Sequence, residues 1–242
     1  FLTLSDFFTK GKVQIKKSEL LAKKKSPASL KLLIKRGILT EKKVNVSHLS
    51  DNIPSIGIIP PYPLSPVQTK AYQEIQTVFS EKNIALLHGV TSSGKTEIYI
   101  HLIQETLKRK KQVLYLLPEI ALTWQIIQRL KRHFGKTVGV YHSKFNDNEK
   151  VDIWKKVMSP DSDNSFQIIL GARSAIFLPY HNLGLIIIDE EHENTFRQQD
   201  PAPRYHARDA AIVLASYFKA KVLLGSATPS MESIFNARVR KK

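Results

Sequence analysis

From Ile84 onward the sequence alternates short apolar runs with stretches of helical spacing, and this alternation limits the possible fold more than any other feature. The runs cover residues 84–87, 112–117, 138–141, 167–170, 185–188 and 221–224, and helical patterns follow Thr96, Glu119, Asp147 and Tyr205. Apolar strands alternating with helices imply an α/β fold, a parallel sheet covered on both faces, with ligands at the carboxyl ends of its strands. A further helix opens ahead of the first strand, with Ser65 as N-cap, Pro66 at the first position, and Val67, Ala71, Ile75 and Phe79 along it.

The first run leads into Gly89-Val90-Thr91-Ser92-Ser93-Gly94-Lys95-Thr96, which satisfies G-x-x-x-x-G-K-[ST] at every fixed position. Strand, glycine-bounded loop and helix are the context this phosphate loop requires. Gly89 and Gly94 lack a Cβ, so the backbone can curl and aim N–H groups at phosphate oxygens, with a helix N-terminus behind them. Lys95 is expected to reach the β- and γ-phosphates of a nucleoside triphosphate, and the Thr96 hydroxyl to hold Mg²⁺.

A second chemical element is the run 185–188 ending in Asp189-Glu190-Glu191-His192. Beside a phosphate loop, Asp189 stands where a carboxylate would hold Mg²⁺, and Glu190 where a base would orient and deprotonate the attacking water. The stretch His192-Glu193-Asn194-Thr195-Phe196 misses the zinc pattern H-E-x-x-H at its last position. No metal other than Mg²⁺ is therefore expected, and the absence of cysteine removes disulfides and thiolate sites.

Residues 1–48 read as a small separate domain. Ser26 as N-cap, Pro27 in the first turn, Leu30, Leu33 and Ile34 on one face and Gly37 as stop outline a helix, and a shorter one begins near Ser18. With short apolar runs on either side, a winged helix is expected, able to enter a DNA groove or to bind protein. Residues 49–63, with Pro54, Pro60, Pro61 and Pro63, read as a stiff linker, and 64–242 as the large lobe. Of the net charge of +16, residues 1–50 carry 12 Lys/Arg and 3 Asp/Glu, hence +9. That suits a phosphate polymer, an anionic membrane surface or a solvated lysine-rich face, and the lean is to nucleic acid. The run at 185–188 is far short of the ~20 apolar residues a membrane helix needs, so no membrane association is expected. Phe1 in place of Met suggests an excised piece, and the composition is compatible with the cytoplasm.

Gly89 to Glu97, Asp189 to His192 and Gly225-Ser226-Ala227-Thr228-Pro229 together resemble motifs I, II and III of superfamily 2 helicases; residues 118–123 resemble motif Ia and 171–175 motif Ib. Phe196-Arg197-Gln198-Gln199-Asp200 followed by Arg204-Tyr205-His206-Ala207-Arg208 resembles the aromatic-rich loop of the bacterial replication-restart helicases. The resemblance covers 64–236. It implies a winged helix and a first RecA-like lobe of an ATP-dependent 3′-to-5′ DNA helicase that assembles primosomes at stalled forks in the bacterial cytoplasm. Single-stranded and forked DNA, primosome proteins and single-strand-binding proteins are the implied partners. It also implies a second lobe with an arginine finger, zinc-binding cysteines and an N-terminal DNA-binding domain beyond the present residues, so zinc belongs to the full-length family and not to this stretch. Arg173, Phe196, Arg197, Arg204, Tyr205 and His206, with Arg208, are assigned to DNA sensing, the aromatics stacking on bases and the cations meeting phosphates. Gln68 falls where these helicases hydrogen-bond adenine; a solvated glutamine is the alternative. Two departures stand out: Ser92 replaces a usual glycine and Trp124 a usual proline, and the serine narrows the loop's backbone freedom. A nucleotide-switch regulator, or another nucleic-acid translocase of the superfamily, are the competing readings.

Overall fold

The computed structural model describes residues 32–36, 58–90, 92–118, 124–143, 145–159 and 165–240. Its contacts divide the chain into two units, residues 1–46 and 47–242. In the first, residues 32–35 are helical and the Arg36 N–H reaches the Leu32 carbonyl at 3.0 Å. The remainder of the winged helix expected over 1–48, and the linker up to residue 57, lie outside the described residues.

The described part of the second unit opens with residues 58–65 laid on the lobe. The Ile59 N–H bonds the Arg132 carbonyl, the Ile59 and Tyr62 carbonyls meet the rings of His133 and His101 at 2.9 Å each, and Tyr62 packs edge-on against His133. Helix α1 (Pro66–Glu81) follows, closed by a reciprocal capping box between Ser65 and Gln68. Then come β1 (Ile84–His88), α2 (Lys95–Lys108), β2 (Gln112–Leu116), α3 (Trp124–Phe134), β3 (Val138–Tyr141), α4 (Asp147–Met158), β4 (Ile168–Gly171), β5 (Leu183–Asp189), the two-residue strands β6 (Arg197–Gln198) and β7 (Tyr205–His206), α5 (Ala207–Phe218), β8 (Lys221–Ser226) and α6 (Met231–Phe235).

Six strands form one parallel sheet in the order β1-β8-β5-β2-β4-β3, while β6 and β7 pair antiparallel in a small separate ribbon. Successive side chains on a strand point to opposite faces, and here both faces are buried. Leu114, Leu116, Ile186, Ile188, Val222 and Leu224 pack toward one face with Ile153, Val157, Ala207 and Ala211. Val113, Tyr115, Leu185, Ile187 and Leu223 pack toward the other with Ile75, Phe79, Ile98 and Leu130. The six runs expected from sequence are these six strands, with no end shifted by more than two residues. β5 starts earlier, at Leu183 beside Gln112, and runs to Asp189, which is in register with Gly225 of β8.

The strand order positions the chemistry. β1, β8 and β5 are adjacent, with His88 beside Ser226 and Gly225 beside Asp189, so three loops far apart in sequence leave the sheet together at one carboxyl edge.

Candidate functional site

The phosphate loop leaves β1 at Gly89, whose N–H donates to the Ser226 carbonyl at 3.1 Å, tying it at once to the end of β8. Ser92 lies at φ +62° and Gly94 at φ +81°, both left-handed. Glycine takes that conformation freely, whereas a residue with a Cβ pays on the order of 1–2 kcal/mol. The departure from glycine at 92 therefore falls on a position where it matters. At Gly94 a Cβ would collide with the Gln68 amide.

Lys95 opens α2 and is 9% exposed; its Nζ donates to the Gly89 carbonyl at 2.8 Å and the Val90 carbonyl at 3.3 Å. Thr96 follows in the first turn, half-buried, and Glu97 pairs with Arg129 of α3, anchoring this helix end. Thr91, inside the loop, and residues 119–123 of the stretch like motif Ia lie outside the described residues. Trp124, the other departure, is 66% exposed at the start of α3.

Asp189 ends β5 with each carboxylate oxygen held by a tyrosine: the Tyr99 hydroxyl donates to Oδ1 at 3.0 Å and the Tyr115 hydroxyl to Oδ2 at 3.1 Å. The two rings meet edge to face at 5.6 Å, and Gly225 is glycine because a Cβ there would strike the Tyr99 hydroxyl. Burial pushes the Asp189 carboxyl above the usual aspartate range, with Glu190 adding to the effect, against the opposing pull of Tyr99, Tyr115 and Lys95. Burial and Asp189 push both tyrosine hydroxyls well up, so they remain donors. A desolvated carboxylate of this kind gains from a cation, and its lone pairs are only partly used, so Asp189 fits a Mg²⁺ ion.

Glu190 turns the chain with φ +49°, and its Oε2 lies 3.7 Å from His192 Nδ1. The His192 ring meets the Ser226 hydroxyl at 2.7 Å and the Thr228 hydroxyl at 3.2 Å, joining the acidic exit of β5 to the loop after β8.

Glu191 is fully buried and fully partnered. The Ser230 N–H donates to it at 2.6 Å, the Ser233 hydroxyl at 2.8 Å, the Arg208 guanidinium at 2.9 Å and the Ser230 hydroxyl at 3.1 Å. Burial raises its carboxyl, but the Ser230 N–H, Arg208 and Ser233 more than offset this and hold it below the usual glutamate range.

The loop between β5 and α5 corrects part of the sequence expectation. Phe196 is 1% exposed, inside the core cluster with Ala207, Ala211 and Ala215, and has no free face for a base. Its N–H closes a short turn onto the Glu193 carbonyl, and small alanines on α5 leave the volume the ring fills. Arg208 is committed to Glu191 and Asp209 and is not a free phosphate contact. His206 caps α5, its ring accepting the Arg208 N–H at 3.3 Å; burial, with Arg208 next, lowers its pKa. Arg173 donates to the Thr195 and Arg197 carbonyls at 3.2 and 3.4 Å, pinning the ribbon to the turn after β4. Arg197 and Arg204 are exposed, and Tyr205 is half-buried against Phe177.

The structure thus gathers Gly89, Val90, Ser92 to Thr96, Asp189, Glu190 and Gln68 at one edge, and ties Arg173 to the ribbon that carries Arg197. Sequence reasoning missed Tyr99, Tyr115, Glu191 and Phe177. Tyr99 was within reach, since it stands four residues after Lys95 and therefore on the same helix face.

A parallel sheet with a phosphate loop after its edge strand and an acidic exit from a central strand is a RecA-like lobe of the helicase kind. The chain belongs to the DEAD/DEAH box helicase family, whose model matches residues 65–236. It is 42% identical over 229 residues to the Bacillus subtilis replication restart protein PriA, covering 93% of this chain and 28% of that protein. With the Haemophilus influenzae PriA it shares 51% identity over 156 residues, 64% of this chain and 21% of that one. The chain therefore spans under a third of the relatives it matches. Among solved structures, RecG bound to a three-way DNA junction superposes with a TM-score of 0.53 at 24% identity, over 74% of this chain and 23% of that one. The DNA-bound helicase MrfA gives 0.53 at 20%, over 74% and 25%. These two likenesses concern the fold.

Among the described residues no helix is long and apolar enough to cross a membrane.

Proposed function

We propose that this chain is the nucleotide-binding lobe, with a preceding winged helix, of an ATP-dependent 3′-to-5′ DNA helicase that restarts replication at stalled bacterial forks. The observation that carries the reading is the meeting of Lys95, Asp189, Glu190 and His192 at the adjacent ends of β1, β5 and β8, in a chain over 40% identical to a replication restart protein. In this reading residues 1–48 form the winged helix, 49–63 the linker and 64–242 the lobe, and the protein works in the cytoplasm with primosome and single-strand-binding proteins.

Lys95 exchanges its two loop carbonyls for β- and γ-phosphate oxygens, and the N–H groups at the start of α2 complete the cradle. Thr96 and Asp189 would hold Mg²⁺, which when bound would neutralise charge on the phosphates. Glu190 accepts the proton of the attacking water. Tyr99 and Tyr115 keep the Asp189 carboxylate in one orientation. His192, joined to Ser226 and Thr228, links the acidic exit to the loop after β8, and Arg173, Arg197, Arg204, Tyr205 and His206 form the DNA-facing side.

The test is titration of a fluorescent ATP analogue with Mg²⁺ onto the chain. Wild type binds, Lys95→Ala loses binding by tenfold or more, as about 1.4 kcal/mol per decade requires of one lost charged contact, and Glu190→Gln keeps it. Equal loss in both variants would overturn the role assignment. Strand displacement on 3′- and 5′-tailed duplexes, by the protein that carries this chain, tests the direction.

A further inference from the structure

Phe177 ends the short turn Arg173–Phe177 after β4 and is 58% exposed, although it is a large aromatic with core on both sides of it in sequence, Ile176 at 5% and Leu178 at 5%. Its ring meets Tyr205 edge to face, centroids 5.2 Å apart at 77°. An exposed Phe177 forgoes the burial that normally stabilises such a ring, which buries roughly 150–250 Å² in cores and interfaces, while Tyr205 is half-buried against it. The pair is set among cations: Arg173 opens the same turn and fastens it to the ribbon through the Thr195 and Arg197 carbonyls, while the exposed Arg204 and Arg197 stand on the ribbon itself. Arg173 also lies close enough to oppose the rise that burial causes in the Tyr205 hydroxyl's pKa. The buried Phe196 cannot serve here; Phe177, outside the aromatic-rich stretch, presents the free face.

We propose that Phe177, backed by Tyr205, is the base-stacking contact of this lobe for single-stranded DNA, with Arg173, Arg197 and Arg204 meeting the phosphates on either side. The proposal deepens the DNA-binding reading above and rests on it. Stacking tolerates any base, because each has a π face, and guanidiniums along the path neutralise the backbone, which is the combination found here on one small surface.

The test compares two labelled 15-mers by fluorescence anisotropy, oligo-dT and an abasic strand with the same phosphates, on wild type, Phe177→Ala and Phe177→Leu. Leucine keeps apolar packing on Tyr205 but has no π face, so it guards against misfolding in the alanine variant. The expected result is a loss of about 5- to 150-fold for dT in both variants, with abasic binding within twofold of wild type. Arg204→Ala should weaken both strands alike and lower the salt slope by about one. Unchanged dT binding, or equal loss on both strands, in the Phe177 variants overturns the stacking contact while leaving DNA binding standing. Failure of the wild type to bind either strand overturns the underlying reading as well.

Discussion

Two stretches at the same edge of the sheet are built in opposite ways. The phosphate loop from Gly89 to Thr96 holds a serine at positive φ, a buried lysine leaning on two of the loop's own carbonyls, and an exposed Val90. Around Glu191, two residues past Asp189, a buried carboxylate takes four hydrogen bonds from Arg208, Ser230 and Ser233. The first is strained and, in the proposed function, exchanges partners; the second is satisfied within the fold. A site that binds and releases a ligand needs partners it can trade, while the frame that aims it gains from groups whose every bond is internal. The frame also joins elements that sequence keeps apart, since α5, the turn before α6 and the exit of β5 meet at one carboxylate.

The contrast can be broken most severely in the frame. Arg208→Ala leaves Glu191 as an uncompensated buried charge and should cost about 3–5 kcal/mol, read by urea denaturation; a loss under 1 kcal/mol would mean the carboxylate is not depending on its partner. Phe196→Ala should be as costly, about 3–5 kcal/mol for a buried phenylalanine. In that variant dT affinity at temperatures where the protein stays folded should be unchanged, which separates a core ring from a base contact.

Smaller effects fall between the two stretches. Tyr99→Phe removes one donor to the Asp189 carboxylate, a bond to a charged group worth about 1.5–3 kcal/mol. Nucleotide affinity in the presence of Mg²⁺ should fall by more than it does in EDTA, because the loosened group is the proposed metal ligand. An equal change under both conditions would reduce Tyr99 to core packing. The smallest effect belongs to the loop: Ser92→Gly relieves about 1–2 kcal/mol of strain at the positive φ against roughly 0.5–1 kcal/mol of added chain entropy, and should stabilise the fold by up to about 1 kcal/mol, seen as a rise in thermal midpoint. A fall would show that the serine side chain supports the loop in a way its backbone angle hides.

What could be read in advance follows from the range of the interactions. The strands were visible because a parallel sheet needs continuous apolar runs, and the start of α1 because Ser65 and Pro66 are adjacent cap and first-turn residues. The phosphate loop was visible for the same reason. That Gln68 closes the cap from the other side was not visible. Phe196 and Phe177 were not distinguishable, since an aromatic among arginines looks exposed until the alanines at 207, 211 and 215 are known to leave it room. Glu191 looked like one more acid in a row. Its partners lie 17, 39 and 42 residues away and only the fold brings them in.

Gln68 accepts the Ser65 N–H at its amide oxygen, at 2.8 Å, and donates from its amino group to the Gly94 carbonyl at 3.3 Å. A purine edge that engages this amide, as the family resemblance implies, shares the oxygen and the amino group that make those bonds, through the second lone pair and the second N–H. Identity of the base and winding of the first turn of α1 would then be coupled. Inorganic triphosphate would fill the loop and leave the turn untouched, while ATP would alter hydrogen exchange at Ser65 and Gln68, giving the stretch that enters the lobe a means of sensing which nucleotide has arrived.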